Sequence, residues 1–99
     1  TIAKSGRNIE YMCIPELLRL AQSDKPGDKE LLDTLYLYIR ANKSVKKSAE
    51  KLHIHPNTLF YRINKLKQIL NISMDDGEDI MNILFSYKVL EVSGLHSLL

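Results

Sequence analysis

The chain has one cysteine, no tryptophan and 7% aromatic residues in 99. Cys13 alone cannot close an internal disulfide. With three scattered histidines it also lacks the paired ligand spacing of a structural zinc site, so a reducing compartment is expected. Apolar-rich stretches such as 81–85 are far too short to span a bilayer. No basic segment followed by an apolar stretch and a cleavage site opens the chain, and a cytoplasmic setting without membrane contact is expected. Internal repeats and low-complexity stretches are absent too, which leaves one domain, or one domain plus a tether.

What the sequence does have is an uneven distribution of charge. The net charge of +2 hides a division into −1 over residues 1–39, +7 over 40–67 and −4 over 68–99. A basic block between acidic neighbours points toward a polyanionic partner, against the plainer reading of a solvated lysine-rich face.

Periodicity predicts an all-α chain of four to five helices. Residues 14–21 read as a short helix opened by Pro15, and 23–27 break the chain. Asp28 is the expected N-cap of a helix over about 29–41, with Leu31, Leu32, Leu35, Tyr38 and Ile39 at helical spacing and Asn42 as a left-handed terminator. Ser44 is expected to cap a short helix ending near Leu52, in which Val45, Ala49 and Leu52 form one stripe. Pro56 opens a longer one whose Leu59, Ile63, Leu66 and Leu70 make a narrow seam, and Asp76 caps the last. In that last helix Ile80, Ile83, Leu84, Tyr87 and Leu90 are expected to face inward. Met81, Phe85 and Val89 widen its apolar surface, so it is expected to be buried on more than one side. Tyr36 and Tyr38 are read as packing residues.

A short helix with a small residue at its middle, three linking residues and a longer amphipathic helix describe a helix-turn-helix. Ala49 is small where two axes must approach, with Leu52, Ile54, Leu59 and Ile63 filling the angle. At 100° per residue from Leu59, Asn57, Tyr61, Asn64 and Gln68 lie opposite the seam, flanked by Phe60 on one side and by Thr58 and Lys65 on the other. That face carries no acid. Asn57, Thr58, Tyr61, Asn64 and Lys65 are the candidate base-reading residues, since amides suit adenine edges, methyl and aromatic carbons suit thymine methyls, and Lys suits guanine. Lys46 and Lys47 sit in the first turn of their helix, where cations oppose the macrodipole, so another partner is sought for them. Lys43, Lys46, Lys47, His55 and Arg62 are the candidate phosphate contacts, which Arg40 and Lys51 extend.

The string HIHPNTLFYR at 53–62 also raises metal binding and catalysis. His53 and His55 offer two ligands with no local third, and Ser44, Ser48, Thr58 and Cys13 have no readable orienting partner. His53 is read as a turn residue, and the ring of His55 as either an N-cap acceptor or a phosphate contact. Asp75, Asp76, Glu78 and Asp79 lack the ligand spacing of a calcium loop and are explained by capping. No cofactor, no metal and no catalytic residue is expected. The rivals are a helical protein-interaction or dimerisation module, and a small metal enzyme built on the two histidines.

The run from Leu31 through Tyr38-Ile39 and Asn42, then Ser48-Ala49, Leu52 and His53-Ile54-His55-Pro56-Asn57-Thr58-Leu59-Phe60-Tyr61-Arg62-Ile63, resembles the C-terminal helix-turn-helix of the PucR family. That family includes purine-catabolism and sugar-diacid regulators, and the resemblance covers roughly residues 28–92. The chain departs from the family pattern at Pro56 and Ile80, where Arg is usual, at Phe60, where a basic residue is usual, and at Gly77, where Pro is usual. The resemblance implies a Fis-like DNA-binding domain of a bacterial transcription regulator, with an effector-sensing region upstream and double-stranded DNA as partner. Residues 1–27 would be the tail of that upstream part or a linker with a short helix, 28–92 the domain and 93–99 a C-terminal tail. Because one such module makes few base contacts, a homodimer on paired half-sites is expected, with the last helix as candidate interface.

Overall fold

The computed structural model describes residues 13–95, and the readings for residues 1–12 and 96–99 lie outside the described residues. Among the described residues five helices follow one another: α1 (Pro15–Gln22), α2 (Pro26–Arg40), α3 (Val45–Leu52), α4 (Pro56–Leu70) and α5 (Gly77–Val92). No strand occurs among the described residues.

Local chemistry sets most of the boundaries. Ser44 Oγ accepts from the Lys47 amide at 3.1 Å, and Asp76 Oδ1 from the Glu78 amide at 3.0 Å, so both expected N-caps form. Helix α2 starts earlier than expected. Its N-cap is Lys25, Pro26 takes the first helical position, and Asp28 lies within the first turn, where its charge suits the macrodipole. The Ser23 hydroxyl accepts the Lys25 amide at 3.0 Å, which holds the chain extended just before the helix. At the other end Asn42 is left-handed, as read, and Lys43 follows in the same region. Their amides close onto Ile39 and Tyr38 carbonyls at 3.1 and 2.8 Å. His53, Asn71 and Gly94 end α3, α4 and α5 in the same left-handed way.

Helix α2 is the hub of the core, packing against α1, α3, α4 and α5. Leu32, Leu35, Leu59, Leu66, Ile83 and Leu90 are fully enclosed there, together with Leu17 of α1. Helix α1 therefore belongs to the same core as the rest, and the expected boundary at 27/28 falls inside the first turn of α2. Cys13 and Ile14 dock on α5, where the buried Ser86 hydroxyl accepts the Ile14 amide at 2.9 Å and donates to Asn82 O at 2.8 Å. Leu95, expected in a tail, packs on the core with its amide on Leu90 O at 2.9 Å.

The reading of α5 needs correction. It packs on α1 and α2 from one side only, burying Ile83, Ser86, Tyr87, Val89 and Leu90. Ile80 is half-buried, while Leu84, expected inward, is exposed with Met81, Phe85 and Val92. An apolar helix with neighbours on one flank leaves the opposite flank in water, and the sequence alone did not say which flank that was.

Tyr87 is enclosed, its ring 5.0 Å from that of Tyr36 and its hydroxyl donating to Leu32 O. Burial, reinforced by the Asp33 charge, pushes the hydroxyl well above the usual tyrosine range. The folded state thus keeps the proton that the unfolded chain releases near pH ~10, so this stabilisation is complete below that pH and is lost as pH rises past it. Tyr87→Phe is expected to cost about 1 kcal/mol at pH 8 and to flatten the alkaline loss between pH 9.5 and 11. Urea midpoints of the two proteins across that range check this, and parallel curves would contradict it.

Candidate nucleic-acid interface

Helices α3 and α4 form the expected pair. Pro56 fixes the first turn of α4, and His55 stands before it in extended conformation with Nδ1 accepting the Asn57 amide at 3.0 Å. The His55 ring is therefore an N-cap, and with Nδ1 accepting, the neutral ring carries its proton on Nε2. His53 reverses the chain between the helices at φ 57°, and the Ile54 amide returns to Ala49 O at 3.0 Å. Ala49 is buried at the α3 and α4 contact, Leu59 and Ile63 are buried beside it, and Leu52 and Ile54 are half-buried around the angle.

The seam of α4 is enclosed at Leu59, Ile63, Leu66 and Leu70. Asn57, Thr58, Tyr61, Asn64, Lys65 and Gln68 are all exposed, with Tyr61 66% and Phe60 57% accessible. The five base-reading candidates thus share one outward face of one rigid helix. Among the described residues that face carries no carboxylate.

The phosphate candidates divide. Lys46 and Lys47 stand exposed at the start of α3, whose first turn holds no acid. Arg62 is turned the other way. Its Nη1 donates to the buried Thr34 hydroxyl of α2 at 3.2 Å, Nη2 lies 3.8 Å from Glu30 Oε1, and its side chain is only 20% exposed. Thr34 in turn donates to Glu30 O at 2.7 Å, so Arg62 ties α4 to α2 and does not face outward with the reading residues. Lys43 is likewise engaged, its Nζ donating to Met74 O at 3.2 Å across the α4–α5 connector. Met74, in that connector, is itself buried and left-handed, a core position with no periodic signature.

Between the end of α2 and α3 runs an open groove of about 280 Å³ with Leu37 and Ala41 in its wall and Arg40, Asn42, Lys47 and Lys51 around it. Three cations line it without a carboxylate, and Arg40 is held there over the Tyr36 ring at 5.8 Å from the centroid. This adds Arg40 and Lys51 to the positive surface that begins at Lys46 and Lys47. Among the described residues, no three His, Cys, Asp or Glu side chains come together in a way that would hold a metal ion. No helix of the described residues is long and apolar enough to cross a membrane.

The family model for the PucR C-terminal helix-turn-helix domain matches residues 31–89, from the second turn of α2 to near the end of α5. The proline-responsive transcriptional activator PutR of Bacillus subtilis is 39% identical, over 62% of this chain and 15% of its own length. The purine catabolism regulatory protein of the same organism is 27% identical over 77% of this chain and 17% of its own. The DNA-binding transcriptional activator AdeR, also of Bacillus subtilis, is 30% identical over 74% and 17%. The chain thus spans under a fifth of the length of these relatives. No solved structure matches it significantly.

Proposed function

Because the chain belongs to the PucR C-terminal helix-turn-helix family, whose members are DNA-binding domains of transcription regulators, we propose that α4 enters the major groove of double-stranded DNA. The observation that carries this is the split of α4 into an enclosed aliphatic seam and an exposed face of amides, Tyr61, Thr58 and Lys65. Asn57 and Asn64 suit adenine edges, Thr58 a thymine methyl, and Lys65 guanine, with Tyr61 between them. Lys46 and Lys47 neutralise phosphates at the start of α3, joined by His55 through Nε2 and by Arg40 and Lys51 across the groove. Arg62 acts inside the fold and ties α4 to α2, while Lys43, exposed at the end of α2, is engaged with the Met74 carbonyl of the connector. The activity is binding without catalysis, in the cytoplasm, with no cofactor.

Titrating a mixed pool of genomic duplexes at several salt concentrations tests the reading. Binding should weaken linearly on a logarithmic salt scale, and Lys46→Ala with Lys47→Ala should lower all affinities together and reduce the slope by about 2. An unchanged slope would remove the two lysines from the footprint. Absence of any duplex binding would favour the rival reading, a module that contacts only protein.

Two copies are proposed to act on paired half-sites, joined through the exposed face of α5, where Met81, Leu84, Phe85 and Val92 lie on one flank away from the α3 and α4 pair. Phe85→Asp should halve the mass seen in sedimentation velocity and leave the helical signal intact. An unchanged mass would place the contact elsewhere. The named relatives respond to proline or govern purine catabolism, and by analogy the effector-sensing region lies upstream of this domain in a longer chain.

A further inference from the structure

Phe60 stands out on the exposed face of α4. Its neighbours Asn57, Tyr61 and Asn64 all carry hydrogen-bonding groups, whereas Phe60 has only a phenyl ring, 57% accessible and outside the hydrophobic core. At 100° per residue it lies about 40° from Asn64 and about 60° from Asn57 around the helix, in the second turn from Pro56. A ring so placed can recognise a base edge only through an apolar contact. In the major groove each A·T pair presents one apolar group, the C5-methyl of thymine, and a G·C pair presents none. Asn57 and Asn64 beside it are suited to adenine, so the ring and the amides favour the same kind of base pair. Thr58, whose methyl is the other candidate for an apolar contact, sits about 160° away around the helix and cannot serve the same position.

We propose that Phe60 is a specificity-determining residue that reads the 5-methyl group of a thymine, making an A·T pair preferred at the position it covers. The inference rests on α4 being the major-groove helix, and its test separates the two. Duplexes bound by the whole chain are first selected from a random pool. Each thymine of the selected sequence is then replaced singly by deoxyuridine, which removes one methyl and leaves every hydrogen bond in place. One position per half-site should lose roughly four-fold in affinity, the worth of one buried methyl. Phe60→Ala should bind thymine and deoxyuridine equally there, and Phe60→Leu should keep part of the preference. Because the ring is exposed, both variants should retain the wild-type helical signal and salt slope. Selected sequences without a deoxyuridine-sensitive position, or sensitivity that persists in Phe60→Ala, would overturn the role of Phe60 and leave α4 as the reading helix. Failure to enrich any sequence would remove the reading helix and Phe60's role together.

Discussion

Replacing Tyr61 and Asn64 together by alanine is expected to cut the preference for a cognate duplex over a scrambled one by roughly 30- to 1,000-fold, about 2–4 kcal/mol for two base contacts. Binding to the scrambled duplex should change little, since phosphate contacts fix position without carrying sequence. Both side chains are exposed on α4, and neither belongs to the seam that holds α4 against α2 and α3. Urea stability should therefore shift by no more than about 0.5 kcal/mol, which separates lost recognition from lost structure. Competition anisotropy with the two duplexes reads the ratio directly. Equal losses on both would assign Tyr61 and Asn64 to the backbone and move base reading to Asn57, Thr58 and Lys65.

The helix pair was legible because its signals are local. A hydroxyl at 44 and prolines at 15 and 56 set helix starts, and the i, i+4, i+7 seam of Leu59, Ile63 and Leu66 is unambiguous in period. At Asp28 two start signals competed, and Pro26 prevailed because its fixed φ suits the first helical position and Ser23 satisfies the amide before it. The reversal at His53 carried no glycine to announce it. It followed instead from three residues having to turn the chain between two helices.

Features that depend on another element stayed hidden. Arg62 lies about 60° from Leu59, at the edge of the α4 seam, but only the placement of α2 brings Thr34 and Glu30 to it. A trace of this was present in the sequence, since Thr34 is a small polar residue enclosed among the leucines of α2. Lys43 reaches Met74 across thirty-one positions of chain, a contact with no periodic signature. Leu84 loses the inward environment expected of it for the same reason, because α1 and α2 select which flank of α5 is covered. Position along a helix is written in the chain, but the neighbour that meets a given flank is decided by the packing of all five.

Overpacking and cavity formation at the α3 and α4 contact should separate stability from function. Leu59 is fully enclosed, and Leu59→Ala removes its side chain from the start of the seam, at an expected cost of about 2–5 kcal/mol. That is a large fraction of the 5–15 kcal/mol typical of a domain. Ala49 is also buried, and Ala49→Leu adds bulk where the axes approach, at about 1–3 kcal/mol. A cavity leaves both helix axes where the remaining seam holds them, whereas a larger side chain at 49 pushes α3 off α4 and changes the angle between the lysines of one and the amides of the other. At a temperature where both variants are folded, Leu59→Ala is therefore expected to bind its cognate duplex within about three-fold of wild type, while Ala49→Leu, the more stable of the two, loses at least about ten-fold, the worth of one base contact. Urea midpoints give the order of stability and anisotropy the order of affinity. If the two orders coincide, the angle between α3 and α4 does not govern binding, and the reading face acts through α4 alone.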